Sequence, residues 1–207
     1  MGNWLVTAKS GMMTAPTVEL VTPAEGFLPA YICALRRGWS ADNIRGAEAA
    51  KEELARIAND PIGFIRTKAD DREAKGGPVR LPDGSEVQRL PGFFRWIWDG
   101  EFCGSIGLRW QPGTAALPPH VLGHIGYAVV PWKRNRGYAT KALALMLDEA
   151  RAVGLRYVEL TVDPDNPASQ KVILANGGVL IEQFEKPAQY GPGLQSLRYR
   201  VMLRSAG

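Results

Sequence analysis

Two arginines, a glycine and an alanine stand in one short run, Arg134-Asn135-Arg136-Gly137-Tyr138-Ala139-Thr140. The chemistry open to such a run is anion binding. At the start of a helix the first-turn amides lack intrahelical acceptors, and the positive end of the helix dipole points outward. Gly137 and Ala139 are small enough for phosphate oxygens to approach the backbone, while Arg134, Arg136 and either Lys133 or Lys141 add screened positive charge. The group that suits this place is a pyrophosphate. The run is not a Walker loop, which needs a glycine followed after four residues by Gly-Lys-Ser/Thr, nor the three-glycine dinucleotide fingerprint. Nucleotide hydrolysis and hydride transfer therefore lose ground.

Three further residues carry candidate roles. His124 is an imidazole on a strand-like run just before this segment, and a group titrating near neutrality suits proton removal from an ammonium. Side chains alternate across a strand, so parity decides which face His124 takes. Asn166 precedes Pro167, the pattern of a helix start, and Ser169 follows at the third helical position, where a hydroxyl also serves capping. The two cysteines, Cys33 and Cys103, and two histidines, His120 and His124, are too few for a disulfide framework or a metal cluster, so no metal is expected.

The elements that must position these residues are legible in outline. Residues 17–21 alternate as a short strand, 23–37 have helical apolar spacing, and 47–59 form a second helix stopped by Asn59-Asp60-Pro61. Residues 67–91 are polar, with Gly76-Gly77-Pro78 and Pro82-Asp83-Gly84, and predict a long loop carrying a small hairpin. Runs 93–98 and 101–110 are joined by Asp99-Gly100, the pair a two-residue type I′ turn prefers. A third strand spans 121–130 and ends at Pro131. Ala139, Ala142, Leu143, Met146, Leu147, Ala150 and Val153 share one helix face, and Gly154 stops that helix. A strand at 156–162, a helix from Asn166 to Gly177-Gly178, and strands at 179–184 and 197–203 complete the chain. Trp96, Trp98, Trp110 and Trp132 read as packing residues of strands.

The 207 residues, 45% hydrophobic and 22% charged, suit one globular domain. Residues 1–16 read as an N-terminal extension that can be flexible, with Met12 and Met13 as alternative starts, and 17–204 as the single domain. No apolar run has the roughly 18 to 20 residues of a membrane span, and the first twenty residues lack a signal-peptide pattern. The chain is expected to be cytoplasmic, with no membrane partner. Net charge is +4, a mild bias toward anionic partners, but no basic stripe with interleaved aromatics predicts nucleic-acid binding.

The run RNRGYA at 134–139 resembles the signature of the GNAT superfamily of N-acetyltransferases: Arg or Gln, two residues, Gly, one residue, then Gly or Ala. Ala128-Val129-Val130-Pro131 before the loop, the strand at 156–162 and Asn166 to Ser169 opening the next helix follow that superfamily's order. The chain is most similar to a branch of predicted acetyltransferases with a Gly-His-Ile-Gly-Tyr strand, here Gly123 to Tyr127, and an Asn-x-x-Ser element ending in Gly-Gly, here Asn166 to Gly178. The resemblance implies an α/β (α+β) fold with a mixed, mostly antiparallel, V-splayed sheet and about four helices. It implies acetyl-CoA in the gap between strands 121–130 and 156–162, with CoA as product. Pantetheine amides would pair with Tyr127, Ala128 and Val129. The pyrophosphate would rest on Arg134, Asn135, Arg136, Gly137, Tyr138, Ala139 and Thr140, while Asn166 and Ser169 approach the thiol end. The implied reaction is direct attack of a small-molecule or peptide amine on the thioester, with His124 as candidate base. Where the superfamily often places a tyrosine acid this chain has Ile173, which motivates an alternative, a catalytically silent CoA-binding sensor or scaffold. Loops 67–91 and 111–120 are expected to choose the acceptor, and homodimerisation stays open.

Overall fold

The computed structural model describes residues 17–203 except 43, 44, 69, 82, 83 and 191. The proposed extension at 1–16, the end of the proposed domain at 204 and the loop residue Asp83 lie outside the described residues. In chain order the elements are β1 (Glu19–Val21), α1 (Leu28–Arg36), α2 (Ala47–Asn59), α3 (Pro61–Lys68), β2 (Asp70–Asp71), β3 (Val79–Arg80), β4 (Glu86–Val87), β5 (Gly92–Trp98), β6 (Phe102–Arg109), β7 (Ile125–Val129), α4 (Tyr138–Ala152), β8 (Tyr157–Val162), α5 (Pro167–Ala175), β9 (Val179–Glu185) and β10 (Gln195–Met202). Five helices stand where about four were expected. The addition is α3: Pro61 ends α2 but fits the first turn of the next helix, where its missing N–H costs nothing. Asp60 helps, its Oδ1 accepting from the amide of Gly63 at 2.8 Å.

Strands β1-β5-β6-β7 form one sheet, with β2 also pairing β5, and β8-β10-β9 form another; β3 and β4 make the small hairpin expected in the long loop. Every ladder is antiparallel. The first sheet is a filling between two helical layers. On one face Phe93, Ile97, Ile106 and Leu108 pack with Leu143, Met146 and Ala150 of α4; on the other Trp96, Phe102, Ala128 and Val130 pack with Tyr31 and Leu35 of α1 and Phe64 of α3. Burial of both faces explains why apolar residues fill both faces of β5 and β6 instead of alternating with polar ones, Arg95 and Ser105 being the buried polar residues among them. Trp96 is enclosed, stacking on Tyr31 at 4.7 Å, and Trp98, Trp110 and Trp132 are partly buried against the same clusters.

The β5–β6 connection differs from the type I′ expectation. Trp98 pairs with Phe102, leaving three residues in the loop, and only Gly100 has a positive φ, 102°, whereas type I′ needs two such residues. Asp99 is instead held by tertiary partners: its carboxylate accepts from Lys133 Nζ at 2.8 and 2.9 Å and from the Tyr138 hydroxyl. The third strand is also shorter than 121–130, because the ladder starts only at Ile125. Its first residues are spent on the contact with β8.

Candidate active site in the cleft between the sheets

β7 and β8 run side by side but do not form a ladder. They touch at one point. The amide of His124 donates to the carbonyl of Glu159 at 2.7 Å, and the amide of Glu159 donates not to a backbone oxygen but to His124 Nδ1 at 2.9 Å. The imidazole thus replaces a carbonyl at the joint, and beyond it the strands diverge. Gly123 permits the approach: a Cβ there would meet Glu159 O at 3.0 Å and Thr161 N at 3.3 Å. The second ring nitrogen, Nε2, lies 3.1 Å from Ala115 O. Because Nδ1 accepts, Nε2 carries the proton and donates to that carbonyl. Burial lowers the His124 pKa, outweighing the opposing pull of Glu159. His124 is fully buried and does not line the cleft, so the expectation of a catalytic base at this position gives way to a joint between two strands. A general base needs a free ring nitrogen, and neither is free.

Strand parity also decides which backbone groups face the gap. Arg109 N donates to His124 O and Val130 N to Cys103 O, so alternation directs Gly126 and Ala128 toward β6. The groups of Tyr127 and Val129 point into the gap. Ala128 therefore contributes its surface to the cleft but its amide to the sheet, a correction to the expected pairing of all three residues. Arg134 Nε donates to Val129 O at 3.2 Å, tying the loop that follows to this strand end.

That loop has the conformation an anion site needs. Asn135 has φ 59° and Gly137 φ 81°, the latter as N-cap of α4 without a side-chain cap. Positive φ at these two alternate positions makes a turn of the kind in which successive amides come together as a nest. The first turn of α4 is positioned from below by the Asp99 cluster. Lys133 and Asp99 side chains are only 11% and 7% exposed, and Glu101 adds a contact to Lys133 at 3.1 Å. For Asp99 burial raises the pKa, but hydrogen bonds from Lys133 and Tyr138 overcome it and hold the carboxyl at about 2. Tyr138 is pushed up to about 12, by burial first and by Asp99 second. Lys133 is consequently committed to Asp99 and Glu101, leaving Arg134 and the backbone to meet an anion.

The cleft between β7, β8, α4 and α5 encloses about 880 Å³. Of the expected residues, Tyr127, Ala128, Val129, Arg134, Asn135, Gly137, Tyr138, Ala139, Thr140, Asn166 and Ser169 line it together. Arg136 does not, and stands exposed beside it. None of the described residues in 67–91 lines it, because the segment leads from α3 through β2, which pairs β5, across β6 from β7. No residue of loop 111–120 lines it either: its carbonyls are spent on packing, Ala115 O at His124 and His120 O accepting from Tyr190 at 2.9 Å.

Residues 44–179 match the family model of the acetyltransferase (GNAT) domain. The chain belongs to the GNAT acetyltransferase family. No curated protein matches it in sequence. Among solved structures, the microcin C7 self-immunity acetyltransferase MccE in complex with acetyl-CoA and AMP is similar at 13% identity and TM-score 0.57, over 89% of this chain and 92% of that one. The ribosomal L7/L12 α-N-protein acetyltransferase RimL in complex with coenzyme A is similar at 18% and 0.57, over 90% and 94%. A chimera of the Vibrio cholerae spermidine N-acetyltransferase SpeG with hSSAT is similar at 14% and 0.56, over 90% and 95%. At these identities the likeness shows a shared fold.

In this GNAT chain the cleft carries one feature that the sequence left unread, the side chain of Tyr127. Its Oη lies 2.7 Å from Ser169 Oγ and donates to Ser169 O at 3.3 Å, bridging β7 to α5 across the cleft. Ser169 is held in place because its amide donates to Asn166 Oδ1 at 3.0 Å, so Asn166 is the helix cap and sets the serine that meets Tyr127. Burial raises the Tyr127 pKa, against the hydrogen bond with Ser169, so the phenol keeps its proton at neutral pH. Spacing alone gave no signal for this pair, since the residues are 42 positions apart. Ile173, at the position where the superfamily often has tyrosine, also lines the cleft and is 1% exposed. No helix among the described residues is long and apolar enough to cross a membrane.

Proposed function

We propose that this chain is an acetyl-CoA-dependent N-acetyltransferase that acts on a primary amine by direct attack, with residues 17–204 as its single domain. The observation that supports this most is the cleft itself: a strand edge where the Tyr127 amide and carbonyl and the Val129 amide have no strand partner among the described residues, the Val129 carbonyl being taken by Arg134, leads to the turn at 134–140. The dimensions and donors suit the co-substrate. Outward amides and carbonyls of β7 match the amides of a pantetheine arm as an added strand would, and the nest with Arg134 matches a pyrophosphate. Bound there, acetyl-CoA would supply an activated acetyl thioester, whose carbonyl carbon forms the new C–N bond as the C–S bond breaks and CoA leaves as thiol.

The residues of the chain then manage protons and position. The hydroxyls of Tyr127 and Ser169 place exchangeable protons inside the cleft, and burial keeps the Tyr127 phenol protonated, so that its proton is present when the thiolate departs. No imidazole or free carboxylate faces the acceptor among the described residues. His124 is occupied, and Asp163, the cleft's one carboxylate, is bound to Lys186 Nζ at 2.5 Å. The proton of the acceptor ammonium therefore passes to solvent in the open cleft. Cys33 and Cys103 are unpaired, which suits the reducing cytoplasm.

The test is release of CoA thiol, coupled to appearance of acetylated amine, across a panel of primary amines. Turnover should rise with pH along the acceptor's own amine titration, and Tyr127→Phe should lower kcat on the order of 10²-fold while leaving CoA affinity nearly unchanged. Tight CoA binding without thiol release for any amine would instead support a silent CoA-binding protein, the reading that Ile173 motivates.

A further inference from the structure

The end of the cleft away from the nest is marked by side chains on the sheet face opposite α4. Along β6, Ile106 and Leu108 pack toward α4, so Ser105, Gly107 and Arg109 take the other face. Phe94 of β5 lies over Gly107, its Cε1 only 2.7 Å from where a Cβ would stand, and Arg109 Nη2 is 4.0 Å from the corresponding point at Gly126. Phe94, Ser105, Arg109 and Gly126 all line the cleft, together with Ala41 from the segment after α1. Gly126 precedes Val130 by four residues, roughly 13 Å of extended chain, and the nest begins only after Val130. Arg109 is thus a second positive point in the cleft, set apart from the one suited to pyrophosphate.

Its charge is unanswered. The cations lining the cleft are Arg109, Lys133, Arg134, Lys171 and Lys186, against one carboxylate, Asp163. Lys133 is held by Asp99 and Glu101, Lys186 by Asp163, and Arg134 by Val129 O, while Lys171 is a solvent-exposed residue of α5. Among the described residues the Arg109 side chain has no ion pair and no hydrogen bond. It is open to the cleft yet surrounded by protein on its other sides, and this burial lowers its pKa, with Tyr190 acting the other way. The guanidinium stays charged regardless. An uncompensated fork of donors in a concave site is suited to a planar or tetrahedral oxyanion bound through two parallel hydrogen bonds.

We propose that Arg109 selects the acceptor: an amine that also carries an oxyanion, a carboxylate or a phosphate, within a few bonds of its nitrogen. This rests on the reading of the cleft as an acetyl-transfer site. A polycationic amine meets Arg109 with like charge and finds the one cleft carboxylate already paired. A neutral amine gains nothing from Arg109. An anionic amine places its oxyanion on the fork and its nitrogen toward the free edge of β7.

The experiment uses full-length protein saturated with CoA, so that the nest is filled, with arginine side chains labelled by nitrogen-15. The Arg109 Nε–H signal is assigned through its loss in Arg109→Met, and glycine, glycinamide, phosphoethanolamine and ethanolamine are each titrated in. The expected result is a saturable shift of the Arg109 signal with glycine, with phosphoethanolamine or with both, and none with their neutral partners; which of the two acts separates carboxylate from phosphate. With acetyl-CoA, the responding anionic amine should exceed its neutral partner in kcat/KM by about tenfold or more, and that ratio should fall toward one in Arg109→Met. Arg109→Lys should recover part of it. Equal responses to charged and neutral amines, or no shift with either anion, would overturn the proposal. Should CoA itself fail to bind, the acetyl-transfer reading fails, while the oxyanion response of Arg109 is still read independently.

Discussion

An imidazole whose Nδ1 accepts from a buried amide and whose Nε2 donates to a carbonyl has no lone pair left for a substrate. Removing it leaves the Glu159 amide and the Ala115 carbonyl without partners, and each unsatisfied buried group costs about 1 to 3 kcal/mol. His124→Ala should therefore lower the unfolding free energy by about 2 to 4 kcal/mol. The pH dependence has a definite sign. The folded pKa lies below the ordinary 6.5, so this contribution is complete above pH 6.5 and is lost as pH falls toward the folded value, because the unfolded chain takes up the proton more readily. Urea unfolding between pH 5 and 8 should show that slope in the native protein and lose it in the variant. A His124 variant with unchanged stability but a displaced pH–rate profile would return the residue to a catalytic role.

At the scale of elements, the start of α4 is held by a residue that belongs to a turn between two other strands. Asp99 ties the β5–β6 loop to Lys133 and to Tyr138 in the first turn of the helix. Asp99→Ala leaves a nearly buried lysine with only the exposed Glu101 as ion-pair partner, a loss of about 2 to 3 kcal/mol, and it should also loosen the start of α4 and weaken CoA binding about tenfold. With the carboxyl held near 2 against an ordinary 3.8, the Asp99 contribution is present above pH 3.8 and fades as pH falls toward 2. Acid unfolding followed by circular dichroism, with and without Asp99→Asn, measures it; identical acid midpoints would contradict the assignment. The same cluster shows where sequence reading stops. Helix α4 and the cap at Asn166 were legible because their signals are local: a 3.6-residue apolar period and a capping residue before proline. Asp99-Gly100 carries an equally local signal, but it was overridden by partners 34 and 39 positions away. Helix α3 was missed because Pro61 is a stop signal for the preceding helix and a start signal for the next. The Tyr127–Ser169 pair and the unpaired Arg109 depend on which faces two sheets turn to one another, a long-range property that no window of sequence contains.

Across the whole molecule, two antiparallel sheets are fastened at His124 and Glu159 and part from there into a cleft; the fold as a whole is the one shared with the structural neighbours. Arg95, its side chain 8% exposed, pairs with Asp70 at 2.6 Å and with Glu149 at 2.9 Å and so ties β5 to β2 and to α4. The cleft is proposed to hold acetyl-CoA with its pyrophosphate on residues 134–140. Calorimetric titration of acetyl-CoA into the native protein, Arg134→Ala and Gly137→Asp tests it directly. Gly137 has φ 81° and open space around it, so the aspartate adds backbone strain and a negative charge at the mouth of the nest. The prediction is one-to-one binding by the native protein, weakened by about tenfold in Arg134→Ala and more in Gly137→Asp. Absence of binding by the native protein, or equal affinity in all three, would contradict it.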